Sequence, residues 1–88
     1  MNTRIDSIRA KLAALDPVRL DIIDDSHKHA GHAGARDGGG HFAVHIVSAQ
    51  FVGKSTAACH RMVYSALGDM MKRDIHALIL KTSAPNEH

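Results

Sequence analysis

Cysteine, aromatic residues, proline and long apolar runs are all scarce in this 88-residue chain. A single cysteine, Cys59, excludes an internal disulfide framework and points to a reducing compartment. With no tryptophan, one tyrosine and two phenylalanines, the chain lacks the aromatic platforms on which base-reading sheets stack nucleotides. No stretch approaches the length of a membrane span, and "MNTRIDSIRAKLAAL" is amphipathic rather than continuously apolar, so neither an anchor nor a secretory signal is expected. The cytoplasm is the expected location. Charge of one sign is also modest: eleven Lys and Arg face nine Asp and Glu, a net +2 with neutral histidines. That permits nucleic acid as a partner without demanding it, since compact nucleic-acid binders usually carry a stronger basic patch. The length bounds the chain to one small domain, residues 1–88, with a modest core.

What the chain has in excess is histidine. There are eight, and four of them, His27, His29, His32 and His41, fall between Ser26 and Phe42. Histidine is a common metal ligand and changes charge near neutral pH.

The apolar spacing orders the elements. Ile5, Ile8, Leu12 and Leu15 recur at helical intervals, so Thr3 to Leu15 reads as an amphipathic helix that Pro17 ends. "VRLDIID" alternates, with Val18, Leu20 and Ile22 on one face and Arg19 and Asp21 on the other, as in a half-buried strand. "DSHKHAGHAGARDGGG" is polar, holds five glycines and reads as a long flexible loop over about 25–40. "HFAVHIVS" alternates again, with Phe42, Val44 and Ile46 together. A second helix follows, with Met62, Val63, Ala66, Leu67, Met70 and Met71 as its apolar stripe, opposite Arg61, Ser65, Asp69 and Lys72. "IHALILKT" is the last strand, and the tail from about 83 to 88 is expected to fray. The order α-β-β-α-β implies a hairpin between the first two strands and a crossover through the second helix. The fold class is α+β: a three-stranded sheet with two helices on one face.

One motif invites a nucleotide. In "FVGKS" a glycine, a lysine and a serine stand where the second helix begins. A P-loop, G-x-x-x-x-G-K-[ST], needs its first glycine at position 48, and that residue is Ser48. The remaining reading is a tight turn at Gly53 and a helix N-cap at Ser55. Lys54 then lies close to the positive end of the helix.

Taken together, "DDSHKHAGH", "HFAVHIVSAQFVGKS", "HRMVYSALGDMM" and "IHALIL" resemble the BolA family in order and spacing, over nearly the whole chain. The resemblance implies a fold similar to the class II KH domain and no catalytic activity. It implies two roles. One is a complex with a monothiol glutaredoxin that shares a [2Fe–2S] cluster in iron–sulfur handling and iron regulation. The other is DNA binding and transcriptional control. "FVGKS" then resembles the family's F-x-G-x-S turn, with Gly53 making the turn and Ser55 capping the helix. KH domains clamp nucleic acid with a G-x-x-G loop, and this chain has only Gly53 there.

Carried over by motif, His76 in "DIHAL" matches the family's C-terminal cluster ligand. The second ligand comes from the loop between the first two strands. His29 fits the S-x-x-[HC] pattern counted from Ser26 and is favoured. His41, just before Phe42, is the competitor, and His27 and His32 match less well. Two imidazoles on one iron, with sulfur ligands on the other, is Rieske-like. The sulfurs would come from the glutaredoxin cysteine and glutathione, so the isolated chain is expected to hold no cluster. Zinc is the rival metal; structural zinc sites are usually rich in cysteine, and no H-E-x-x-H is present. Cys59 borders the apolar stripe of the second helix and reads as a small buried residue, although the family commonly has a polar residue here. Lys54, His60, Arg61, Lys72 and Arg73 form a basic side of the second helix, either a partner or phosphate surface or an ordinary solvated face. A homodimer is left open.

Overall fold

The structure, a computed structural model, describes residues 3–25 and 40–86. The elements are α1 (Thr3–Leu12) continued by a 3₁₀ turn (Ala13–Leu15), β1 (Pro17–Asp24), β2 (Gly40–Ser48), a 3₁₀ turn (Ala49–Phe51), α2 (Thr56–Leu67), a short helix α3 (Met70–Arg73) and β3 (Ile75–Ser83).

The sheet order is β1-β2-β3, with β1 and β2 antiparallel and β2 and β3 parallel. The central strand β2 alternates as the sequence requires. Phe42, Val44 and Ile46 are buried against Ile8, Leu12 and Leu15 from the first helical segment and Cys59, Val63 and Leu67 from α2. Leu20, Ile22, Leu78 and Leu80 close the core from the outer strands. The helices thus cover one face of the sheet. The other face carries exposed Ile23 and Ile79, in register with Ala43 between them.

Small polar devices fix the joints. Asp16 adopts a left-handed conformation (φ 51°) just before Pro17, which ends the first helical segment and starts the strand. Ser48, fully buried, donates its hydroxyl to the Leu15 carbonyl at 2.6 Å and accepts the Gln50 N–H at 3.1 Å. The residue that breaks the P-loop spacing is therefore a structural tie between the end of the first helical segment and the end of β2. Gly53 has φ 76°, and Ser55 Oγ accepts the Ala58 N–H at 3.1 Å, the N-cap expected from the sequence.

Four details depart from the sequence reading. The second helix is two helices, because Gly68 (φ 57°, ψ −129°) stops α2 and its N–H bonds back to the Tyr64 carbonyl. Lys72 and Arg73 therefore lie on α3, and the basic residues do not share one helix. Val18 is 66% exposed: Pro17 pairs with Ser48 and Arg19 with Val47, so Val18 is the extra residue of a bulge and leaves the core face. The chain is also held further than its polar end suggests, since Ser83 completes β3 and Ala84 is buried. Gly40 belongs to β2 rather than to the preceding loop.

Candidate metal centre

Parallel pairing places the N-terminal ends of β2 and β3 side by side. His41 is the second residue of β2 and His76 the second of β3. Between them the register slips: Gly40 pairs with Ile75 but His41 with Ala77, so His76 is the additional residue on β3. An additional residue of this kind re-aims side chains at the end of a ladder. The two imidazole centres lie 5.2 Å apart, with ring planes tilted by 52°. His41 is half-buried and His76 is exposed, so the pair is open to solvent on one side.

The backbone around the pair is well tied. The His41 carbonyl accepts the Asp25 N–H at 2.7 Å, and the Gly40 N–H donates to the Asp74 carbonyl at 2.8 Å. Asp74 also faces the Arg4 guanidinium at 3.9 Å. The segment 26–39 connects Asp25 to Gly40, so both its attachment points lie beside His41. His27, His29 and His32 lie outside the described residues. Among the described residues no group of three or more His, Cys, Asp or Glu side chains is placed to hold a metal ion.

Of the other residues singled out by sequence, Cys59 is buried on α2. Its Sγ lies 3.9 Å from the Phe51 carbonyl and 4.0 Å from that of Lys54, as for a small core side chain with a weak S–H donor. It lies on an element other than the two that carry the histidine pair. Lys54 is exposed in the turn before α2. His60 is half-buried on α2 and meets Tyr64 edge-on at 6.3 Å. Arg61 is exposed at the rim of an open apolar groove, about 620 Å³, between Ala14 and Leu15 on one side and Ala58, Met62 and Ala66 on the other. On α3, Lys72 is exposed and Arg73 lies 3.7 Å from Asp69. Sequence reasoning passed over His45. It sits on the open sheet face, in register with Asp21 and Lys81, with Nε2 3.5 Å from Ser83 Oγ. Its odd-numbered place in the β2 alternation was the available signal.

A histidine pair at the start of a parallel ladder, under a small α+β core, can be set against known proteins. The family model described as BolA-like protein matches residues 12–87. The chain belongs to the BolA-like family. The DNA-binding transcriptional regulator BolA of Escherichia coli (strain K12) is 40% identical over 78 residues, covering 88% of this chain and 71% of that protein. SufE-like protein 1, chloroplastic/mitochondrial, of Arabidopsis thaliana is 45% identical over 86 residues. The match covers 91% of this BolA-like chain but 23% of that protein, so the chain corresponds to one part of it. The solved BolA domain of SufE1 from Arabidopsis thaliana superimposes with a TM-score of 0.85 at 42% identity, covering 100% of this chain and 99% of that domain. The α+β fold inferred from the sequence is therefore that of BolA domains. Among the described residues no helix is long and apolar enough to cross a membrane.

Proposed function

We propose that this BolA-like chain is a non-enzymatic, cytoplasmic binding and regulatory protein that pairs with a monothiol glutaredoxin and shares a [2Fe–2S] cluster with it. The observation that carries this reading is the His41–His76 pair at 5.2 Å. Two neutral imidazoles suit one iron of a Rieske-like cluster. The donor set fits half a cluster: the chain's single thiol, Cys59, is buried on α2, so sulfur ligands for the other iron must come from outside. The glutaredoxin cysteine and glutathione have that chemistry. When bound, such a cluster would make the pairing responsive to iron supply and redox state. His76 would serve as one ligand. The ring geometry supports His41 as the second, and His29, favoured by spacing, is its rival.

The test is anaerobic co-purification of the chain with a monothiol glutaredoxin, read by visible absorption and circular dichroism of the cluster. His76→Ala should abolish the shared-cluster spectrum and leave the far-ultraviolet spectrum of the fold unchanged. His41→Ala should alter the spectrum more than His29→Ala. A His76→Ala complex with a wild-type cluster spectrum would overturn the assignment.

A second reading is supported by the Escherichia coli relative, named as a DNA-binding transcriptional regulator. On that reading Lys54, His60, Arg61, Lys72 and Arg73 would contact phosphates, in a KH-like fold without a G-x-x-G loop.

A further inference from the structure

We infer that the uncovered face of the sheet is a self-complementary docking surface, on which a second copy of this chain packs face to face in a weak two-fold dimer. The inference does not rest on the cluster reading. Two rows cross the centre of the face. Ile23, Ala43 and Ile79 stand side by side in one, and Asp21, His45 and Lys81 in the next. These positions alternate with Ile22, Val44 and Leu80, which pack into the core, so their side chains project away from the helices. Ile23 is 57% exposed and Ile79 71%, and both flank the small Ala43 as one apolar strip. In the charged row Asp21 and Lys81 are exposed on either side of a half-buried His45. Arg19 Nε takes one oxygen of Asp21, Oδ2, at 2.8 Å and leaves the other for a second donor.

The pattern identifies the occupant. An isologous interface must be its own complement. The acid of this face lies on β1 and the base on β3, at the same level along the strands. A two-fold axis along β2, midway between two sheets, lays β1 of one copy over β3 of the other. Asp21 then meets the partner's Lys81, and Lys81 meets the partner's Asp21. Ile23 and Ile79 meet the partner's Ile79 and Ile23 in the same way, and the two His45 rings meet on the axis. An axis across the strands would lay β1 on the partner's β1, where no placement brings Asp21 to Lys81. Aligned sheets pack with strands within about 30° of each other, which an axis along β2 allows. The size of the face sets the strength. Three strands about 4.8 Å apart and three rows about 6.8 Å apart make a patch of roughly 300 Å² per copy. Two such patches fall short of the 1,200–2,000 Å² or so of a stable interface, so the dimer forms at high concentration and dissociates on dilution. At low micromolar concentration the chain is monomeric and the face is open. The charged pairs give the dimer its orientation more than its affinity.

The experiment uses the full chain alone, without glutaredoxin or nucleic acid, followed by NMR diffusion and backbone shifts from the low micromolar to the millimolar range. The expected result is slower diffusion at high concentration, with the largest shifts at Ile23, Ala43, His45 and Ile79. Lys81→Glu places an acid against the partner's Asp21, and Asp21→Lys places a base against the partner's Lys81. Each single variant, shown to be folded by far-ultraviolet circular dichroism, should self-associate at least about tenfold more weakly, because like charges facing each other are costly. An equimolar mixture of the two variants should recover the association. One chain then brings two acids and the other two bases, so both charged contacts are restored in a mixed dimer. The inference is overturned if the wild-type diffusion is independent of concentration up to the millimolar range. It is also overturned if the shifts map to the groove beside Arg61 or to a sheet edge, if either single variant associates as the wild type does, or if the mixture stays monomeric. The wild-type dilution series needs no variant to fold.

Discussion

Ser55 and Gly53 sit two residues apart and stabilise the chain by different physics. Ser55 Oγ satisfies the Ala58 N–H, one of the donors that the first turn of α2 leaves without an intrahelical partner. Ser55→Ala should lower the unfolding free energy by about 1 kcal/mol in urea titrations. Gly53 has φ 76°, and a Cβ built there would meet nothing within 4 Å. Crowding is therefore not the penalty; backbone conformation is. Gly53→Val should cost on the order of 1–3 kcal/mol, because a β-branched residue is strained in the left-handed region. Lys54 between them completes no phosphate loop, because Ser48 is buried and committed to Leu15 and Gln50. ATP at millimolar concentration should leave the backbone NMR shifts of the Gly53–Thr56 turn unchanged. Both the turn and the cap were legible in "FVGKS", since glycine and serine have specific backbone uses at a helix start. The closeness of His41 and His76 was not, because it arises from strand pairing across 35 positions of sequence and a one-residue slip at the start of the ladder.

At the scale of elements, alternation decides which substitutions matter. Phe42 on β2 is 2% exposed beneath the helices, whereas Ile79 on β3 is 71% exposed on the uncovered face. Phe42→Ala should cost about 3–5 kcal/mol. That is a large part of the roughly 5–15 kcal/mol that holds a typical small domain together. Ile79→Ala should change stability by no more than about 0.5 kcal/mol. Thermal unfolding of the two variants, followed by circular dichroism, separates them, and equal losses would mean that the open face is covered in solution. Strand and helix types could be read from period, because β2 and α1 are strongly patterned. The interruptions could not. Gly68 breaks α2 inside an apolar stripe that runs through it, and the Val18 bulge turns an alternating run outward at its first hydrophobic residue. Periodicity records which faces are apolar; it does not record a single residue that changes the direction of the chain. Gly68 itself was the available sign, standing directly after Leu67 where a helix C-terminus favours glycine.

The molecule as a whole carries a small net charge, +2 with neutral histidines, and salt separates its two candidate activities, weakening one and leaving the other unchanged. Phosphate binding releases counterions, so its affinity falls with added salt in proportion to the number of contacts. If Lys54, Arg61, Lys72 and Arg73 each met a phosphate, the slope of log K against log salt would be about −3.6, a loss of roughly 100-fold between 50 and 200 mM. Arg73 already lies near Asp69, which takes part of its charge from that surface. A glutaredoxin complex joined through a metal cluster has no such counterion term; its integrity depends on ligand bonds made by neutral histidines and thiolates. Over 50–200 mM salt we expect the cluster circular dichroism of the chain with a monothiol glutaredoxin to stay constant, while any duplex-DNA affinity measured by fluorescence anisotropy falls steeply. The combined variant Lys54→Ala/Arg61→Ala should flatten the DNA slope by about two units and leave the cluster spectrum as it was. A DNA affinity insensitive to salt would remove the phosphate-contact reading of the basic residues. A cluster spectrum lost by 200 mM salt would mean that surface charge, rather than the histidine ligands, holds the two proteins together.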